Sequence, residues 1–254
     1  MHALDALAGL CLPTRCVGCG ARPHRCRYLC DDCQRRLLPF IGELRLAVPV
    51  DFPVRPLMVL EGPARDLVHA LKYEGRTGIA SLLSVPLAAL SREAITARRV
   101  VPVPLHWRRR WNRGYDQAAL LAGALARERP SLVACNALRR RRATAAQVGL
   151  SAGERRENLR RAFTGRCRSI AGQHCILVDD VVTTGATLRA AAMALSLAGA
   201  RTVLAVTLAV SARSVRPLQP RRCRRAIVSE RVARAGSANQ ESRNAASSSA
   251  RLDS

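Results

Sequence analysis

Residues 176–188, Ile-Leu-Val-Asp-Asp-Val-Val-Thr-Thr-Gly-Ala-Thr-Leu, constrain the fold of this chain more than any other stretch. The run from Cys175 to Val178 is too apolar for a strand with one wet face and predicts a central parallel strand, buried on both sides. Two adjacent carboxylates, Asp179 and Asp180, follow it. A small, hydroxyl-rich turn comes next, and then an Ala/Leu-rich segment of helical character. Strand, turn and helix in this order set a helix N-terminus beside the carboxyl end of a strand, where open α/β sheets hold their ligands. Thr183, Thr184, Gly185, Ala186 and Thr187 offer successive backbone N–H groups and three hydroxyls, and Gly185 lets backbone approach a ligand closely. The helix dipole favours a dianion at that point. Asp179 and Asp180 would repel a dianion, so they are expected to accept hydrogen bonds from uncharged hydroxyls on the same ligand. A phosphate close to a diol describes a ribose 5-phosphate.

The 254 residues suffice for one medium α/β domain and a smaller module. A net charge of +24 points to polyanionic partners. Lys72 is the only lysine, however, and arginine and alanine abound everywhere, as a GC-rich coding bias also produces. The longest apolar tract, residues 190–210, has the length of a membrane span. Gly199-Ala200-Arg201 interrupts it, and residues 202–210 are rich in β-branched side chains, so helix, turn and strand are expected, with no membrane insertion. The first ten residues lack a basic n-region and carry Asp5, so no export signal is read and a cytoplasmic protein is expected.

Six of the ten cysteines fall within the first 33 residues. Among them, Cys16-Val17-Gly18-Cys19 and Cys30-Asp31-Asp32-Cys33 are two Cys-x-x-Cys knuckles separated by ten residues. Such a pair supplies four thiolates to one tetrahedral zinc. Gly18 and Gly20 suit the tight turn, whose amides can stabilise the sulfur charge. With all four positions filled, the zinc would be structural. Cys11, Cys26 and His24 are alternative ligands.

Residues 100–105 read as a short strand entering a Pro-rich turn, before His106-Trp107-Arg108-Arg109-Arg110-Trp111-Asn112-Arg113-Gly114-Tyr115-Asp116-Gln117 and a helix over 118–127. Both tryptophans of the chain stand among four arginines here. Guanidinium groups bind diphosphates bidentately, and both they and nucleobases stack on aromatic rings. Further on, Leu138 to Arg142 carries four arginines, and Ser151 with Glu154 can open a later helix. The basic segment between suits a closing lid.

In order, the chain carries the paired Cys-x-x-Cys, Leu71-Lys72-Tyr73-Glu74-Gly75-Arg76, Val101-Pro102-Val103-Pro104, Arg113-Gly114-Tyr115-Asp116-Gln117, the 147–163 segment and the Asp179 to Thr187 motif. The last resembles the phosphoribosyl-diphosphate (PRPP) motif of type I phosphoribosyltransferases. The whole order resembles the ComF family of competence-associated, phosphoribosyltransferase-like proteins, over residues 8–212. The resemblance implies an α/β fold of the type I phosphoribosyltransferase class, with a mostly parallel central sheet flanked by helices and a four-cysteine zinc ribbon. The expected divisions are 1–45 for the ribbon, 46–212 for the phosphoribosyltransferase-like domain and 213–254 for a basic, disordered tail.

Residue by residue, the resemblance implies that Thr183, Thr184, Gly185, Ala186 and Thr187 cradle the 5-phosphate. Asp179 and Asp180 would be the catalytic pair on the ribose hydroxyls, and magnesium would accompany the diphosphate. Arg110 and Arg113 would face the diphosphate, with Arg139 or Arg141 closing from the lid. A hood over residues 49–90 would build the acceptor pocket, with the Leu71-Lys72-Tyr73 stretch either contributing to it or packing Tyr73 inward. Where the family usually has Asn, this chain has Asp116, a carboxylate that cannot donate to an anion and is expected to cap the next helix. Three functional classes follow: a phosphoribosyltransferase using PRPP and an unidentified acceptor; a competence factor binding single-stranded DNA, working with DNA-uptake proteins; and a zinc-ribbon regulator sensing PRPP.

Overall fold

The computed structural model describes residues 15–23, 27–46, 51–105, 111, 113–140, 162–166 and 170–214, which form two compact units meeting in sequence at Leu38. In the first unit a tight turn is held by Cys16 N–H donating to Ala21 O (2.8 Å) and Gly20 N–H to Cys16 O (2.9 Å). Gly20 takes φ 74°, a left-handed conformation that favours glycine. Cys30 then leads into the short helix α1 (Asp31–Arg35), and Cys33 and Leu29 are buried.

The second unit contains β1 (Leu44–Leu46), β2 (Phe52–Val59), β3 (Arg99–Pro102), β4 (Val133–Ala134), β5 (Leu138–Arg140), β6 (Phe163–Gly165), β7 (His174–Val182) and β8 (Arg201–Val210). Its helices are α2 (Pro63–Tyr73), α3 (Ile79–Leu82), α4 (Ser84–Leu90), α5 (Gln117–Glu128) and α6 (Ala186–Leu197). The main sheet runs β1-β2-β8-β7-β3-β4, with only β1 antiparallel to its neighbour. β5 and β6 form a separate antiparallel ribbon. Leu44–Leu46, which a division at 45/46 would cut, belongs to the main sheet.

β7 lies between β3 and β8, and its residues Cys175 to Val178 are at most 1% exposed, as the unbroken apolar run requires. Cys175, Leu177 and Val101 cluster with Leu188, Ala191 and Leu195 of α6. Alternation sends Ile176, Val178 and Val100 to the opposite face, where α5 packs on β3 and β7 through its own buried stripe, Leu121 and Leu125 among it. The strand extends four residues beyond Val178, so both carboxylates remain in register, Asp179 opposite Thr207 of β8.

Residues 190–210 divide as expected into the end of α6, a turn with Gly199 at φ 83°, and β8. No helix among the described residues is long and apolar enough to cross a membrane. The segment 49–90 is only partly a hood. Phe52, Val54 and Met58 alternate inward at no more than 3% exposure, making β2 a sheet strand parallel to β8 before the chain reaches α2. Ala212–Ser214 forms one 3-10 turn after β8; the tail beyond Ser214 lies outside the described residues.

Candidate functional site

β3 and β7 are neighbours, yet their onward connections diverge: β3 leads through α5 outward to β4, and β7 leads through α6 the other way to β8. Two parallel strands whose crossovers leave in opposite directions open a crevice at their carboxyl ends, the position where α/β sheets take ligands. Both segments singled out from the sequence emerge there.

On the β7 side the chain turns through Thr183 and Thr184, which are exposed, into buried Gly185. Gly185 has φ 73°, which disfavours any side chain, and a Cβ on it would lie 2.5 Å from Leu46 Cδ2, so the Leu46 side chain would have to shift to admit one. α6 begins at Ala186 with Thr187 in its first turn and no side-chain N-cap. The Ala186 N–H makes one long bond, 3.4 Å, to Thr184 Oγ1, and the amides after it open toward the turn. Arg189, one turn into α6, donates through Nη2 to Thr184 O at 2.7 Å and braces the loop. Beside Thr183 and Thr184 lies a cleft of about 370 Å³ whose other wall comes from Leu44, Leu46, Arg213 and Ser214. Sequence reading put Arg213 at the start of the tail; the 3-10 turn returns it to the loop.

Asp179 and Asp180 stand at the end of β7. Asp180 N–H donates to Asp179 Oδ1 at 2.8 Å, and Lys72 Nζ from α2 lies 3.0 Å from Asp180 Oδ2. Enclosure raises the Asp179 carboxyl pKa to about 8, with the Asp180 charge adding to the rise; the Asp180 amide and the Lys72 ammonium oppose it. Nothing in the local pattern of residues 71–73 required Lys72 to meet Asp180. Tyr73 does not pack inward: it is 62% exposed.

After β3, Asp116 caps α5 by accepting from Ala119 N–H (3.2 Å), and its second oxygen accepts from Leu105 N–H (3.0 Å), closing the loop between strand and helix. Tyr115 Oη donates to Leu71 O at 2.6 Å, tying this loop to α2. Arg113 lies over the Tyr73 ring at 4.6 Å and donates to Gln117 Oε1 at 3.1 Å. Trp111 is exposed. Arg110 falls outside the described residues, as do Arg141 and most of the expected lid; Arg139 is exposed on β5.

In the N-terminal unit, Cys16, Cys19, Cys30 and Cys33 bring their four sulfurs within 4.8 Å of one another, and none is in a disulfide. Cys19 Sγ and Cys30 Sγ are 3.5 Å apart, close to the edge of a tetrahedron built on zinc–sulfur bonds of about 2.3 Å. Burial raises the Cys16 thiol pKa, but backbone hydrogen bonds from Cys30, Gly18 and Cys19 outweigh it and bring it down to about 7. The soft, clustered donor set fits zinc. Cys11, Cys26 and His24 lie outside the described residues.

Residues 118–234 match the phosphoribosyl transferase domain family. The DNA utilization protein YhgH of Escherichia coli O157:H7 is 37% identical over 199 residues, 75% of this chain and 81% of that protein. Competence protein F of Haemophilus influenzae is 31% identical over 201 residues, 68% of this chain and 87% of that protein. The chain belongs to the ComF family. Its α/β sheet is the phosphoribosyltransferase fold, and β7, its turn and α6 fall inside the matched domain. In this ComF-family protein β2 and β3 precede the matched residues, so half of the switch-point crevice comes from chain outside the domain match.

A carboxyl with a higher pKa in the folded chain binds more protons folded than unfolded, so stability falls as pH rises from about 4 toward 8. Asp179→Asn keeps an oxygen to accept from Asp180 N–H. It is expected to melt roughly 2–5 °C above wild type at pH 8, with most of that gain gone at pH 5, in thermal unfolding of the ligand-free protein. Equal melting temperatures at both pH values would contradict the enclosed carboxyl.

Proposed function

We propose that this ComF-family protein binds PRPP, or a related ribose 5-phosphate, in the crevice at the carboxyl ends of β3 and β7. The observation that carries this reading is the joining of a carboxylate pair to a hydroxyl-rich, glycine-dependent helix entry on one strand–turn–helix unit at the switch point. The amides and hydroxyls of Thr183, Thr184, Gly185, Ala186 and Thr187 would take the 5-phosphate with the α6 dipole behind them. Asp179 and Asp180 would accept from the ribose 2- and 3-hydroxyls. The diphosphate of the magnesium–PRPP complex would face Arg113, with Arg110, Arg139 and Arg141 further candidates. Transfer from this site would break the bond from the anomeric carbon to diphosphate and form one to an external acceptor. The carboxylates would stabilise positive charge developing on the sugar, so positioning and electrostatics would supply the catalysis.

The names of the relatives place those proteins in DNA utilization and competence, and we extend that role to this chain. Direct binding of single-stranded DNA is a second reading, supported by the +24 charge and by the exposed Tyr73 and Trp111 near Arg113, which suit base stacking. The N-terminal cysteines would hold one structural zinc; with few buried side chains among the described residues of that unit, the metal would supply much of its folding energy.

Calorimetric titration with PRPP and magnesium should show binding by wild type and none by the Asp179→Asn/Asp180→Asn variant; a wild type that binds no PRPP would sink the ribose-phosphate reading. Affinity for a single-stranded oligonucleotide should fall steeply with added salt; a salt-independent affinity would argue against phosphate-driven contact. The purified protein should carry about one zinc per chain, with Cys16→Ser reducing that content and chelation lowering the far-UV signal. Chelation without any change in the signal or in melting would rule out the structural metal.

A further inference from the structure

We propose that Lys72 is a positioning residue of the ribose site: its ammonium, delivered by the last turn of α2, fixes the Asp180 carboxylate for the ligand's hydroxyls and offsets the charge of the carboxylate pair. This rests on the ribose-phosphate reading and extends it to a helix outside the matched domain. The Lys72–Asp180 pair is 3.0 Å long, with side chains only 20% and 14% exposed. An ion pair so enclosed is weakly screened, and removing one member leaves the other uncompensated.

The helix is built to hold that lysine in place. Leu71, just before it, is fully buried, and its carbonyl accepts from Tyr115 Oη at 2.6 Å. Gly75, at φ 68°, ends the helix in a left-handed turn. Tyr73, just after it, sits under the Arg113 guanidinium at 4.6 Å, and Arg113 is held by Gln117 Oε1. Lys72 is thus gripped from both sides by the segment between β3 and α5, and it reaches across to β7. The charged groups acting on the Asp179 carboxyl are Asp180 beside it on β7, Lys72 on α2 and Asp116 at the α5 N-cap. Of these, Lys72 opposes the rise in the Asp179 pKa, whereas Asp180 and Asp116 add to it. The segment from Leu71 to Gly75 therefore acts as a unit: buried anchor, ammonium, a tyrosine held against Arg113, and a glycine stop.

Wild type, Lys72→Met and Lys72→Arg, as full chains, would be compared in two measurements. In ligand-free melting, Lys72→Met should lose ground to wild type as pH rises from 5 to 8, because the Asp179 carboxyl must then ionise without the ammonium that opposes its raised pKa; Lys72→Arg should track wild type. In titration with PRPP and magnesium, Lys72→Met should bind roughly 10- to 100-fold more weakly, and Lys72→Arg within about threefold of wild type. Parallel melting curves for Lys72→Met and wild type, or equal affinities, would overturn the proposal. Wild type that binds no PRPP would remove the ribose-phosphate reading itself, a different result from a tight wild type matched by Lys72→Met. Should Lys72→Met fail to fold, Tyr115→Phe, which releases the Leu71 carbonyl, takes its place. Weaker PRPP binding there supports the proposal and unchanged affinity overturns it.

Discussion

A strand buried on both faces cannot carry charge along its length, and β7 meets that limit by holding Asp179 and Asp180 to its last residues. The rest of the site follows from this constraint. Carboxylates at the end of a central strand are still enclosed, and enclosure pushes the Asp179 pKa up to about 8. The opposing charge comes from Lys72, the only lysine of an arginine-rich chain. Gly75 ends α2 one turn past Leu71, leaving Lys72 at its tip, and the Tyr115–Leu71 hydrogen bond ties the loop after β3 to that turn.

The two halves of the crevice are built differently. The β7–α6 half is local: apolar run, carboxylates, hydroxyl-rich turn and helix follow one another between Cys175 and Leu197, an order typical of phosphate-binding α/β turns. The β3–α5 half is assembled at a distance, from α2, from the loop closed by Asp116 and from Arg113. A ligand with a phosphate at one end and a second charged group at the other would touch both halves. The domain match covers the local half, and the assembled half lies mostly upstream of it.

This division also explains what could be read from the sequence. Residues 174–197 were legible because burial, charge and helix entry are each encoded by neighbours, and α5 was legible from its Ala/Leu periodicity after Asp116. Contacts that depend on distant chain were not. Lys72 meets Asp180 across more than a hundred residues, which no local periodicity reports. Gly185 reads as a place where backbone can approach a ligand, but its lack of a side chain also leaves room for Leu46, on the strand that the expected division at 45/46 would cut. Gly165 gave no signal at all, although a Cβ there would fall 2.6 Å from Ala194 O of α6. Arg213 reads as the start of a basic tail, because the 3-10 turn that returns it to the Thr183 loop leaves no hydrophobic pattern. Prolines at residues 53 and 56 obscure the alternation that makes β2 a sheet strand.

The central claim is that the β7–α6 turn takes a ribose 5-phosphate, phosphate on the amides and sugar on the carboxylates. A crystal structure of the full chain with bound ribose 5-phosphate tests it most directly. The account predicts phosphate oxygens within about 3 Å of the backbone nitrogens between Thr184 and Thr187, and sugar hydroxyls at the same range from Asp179 and Asp180. A phosphate seated instead in the cleft between Arg213 and Leu44, with the carboxylates untouched, would contradict it.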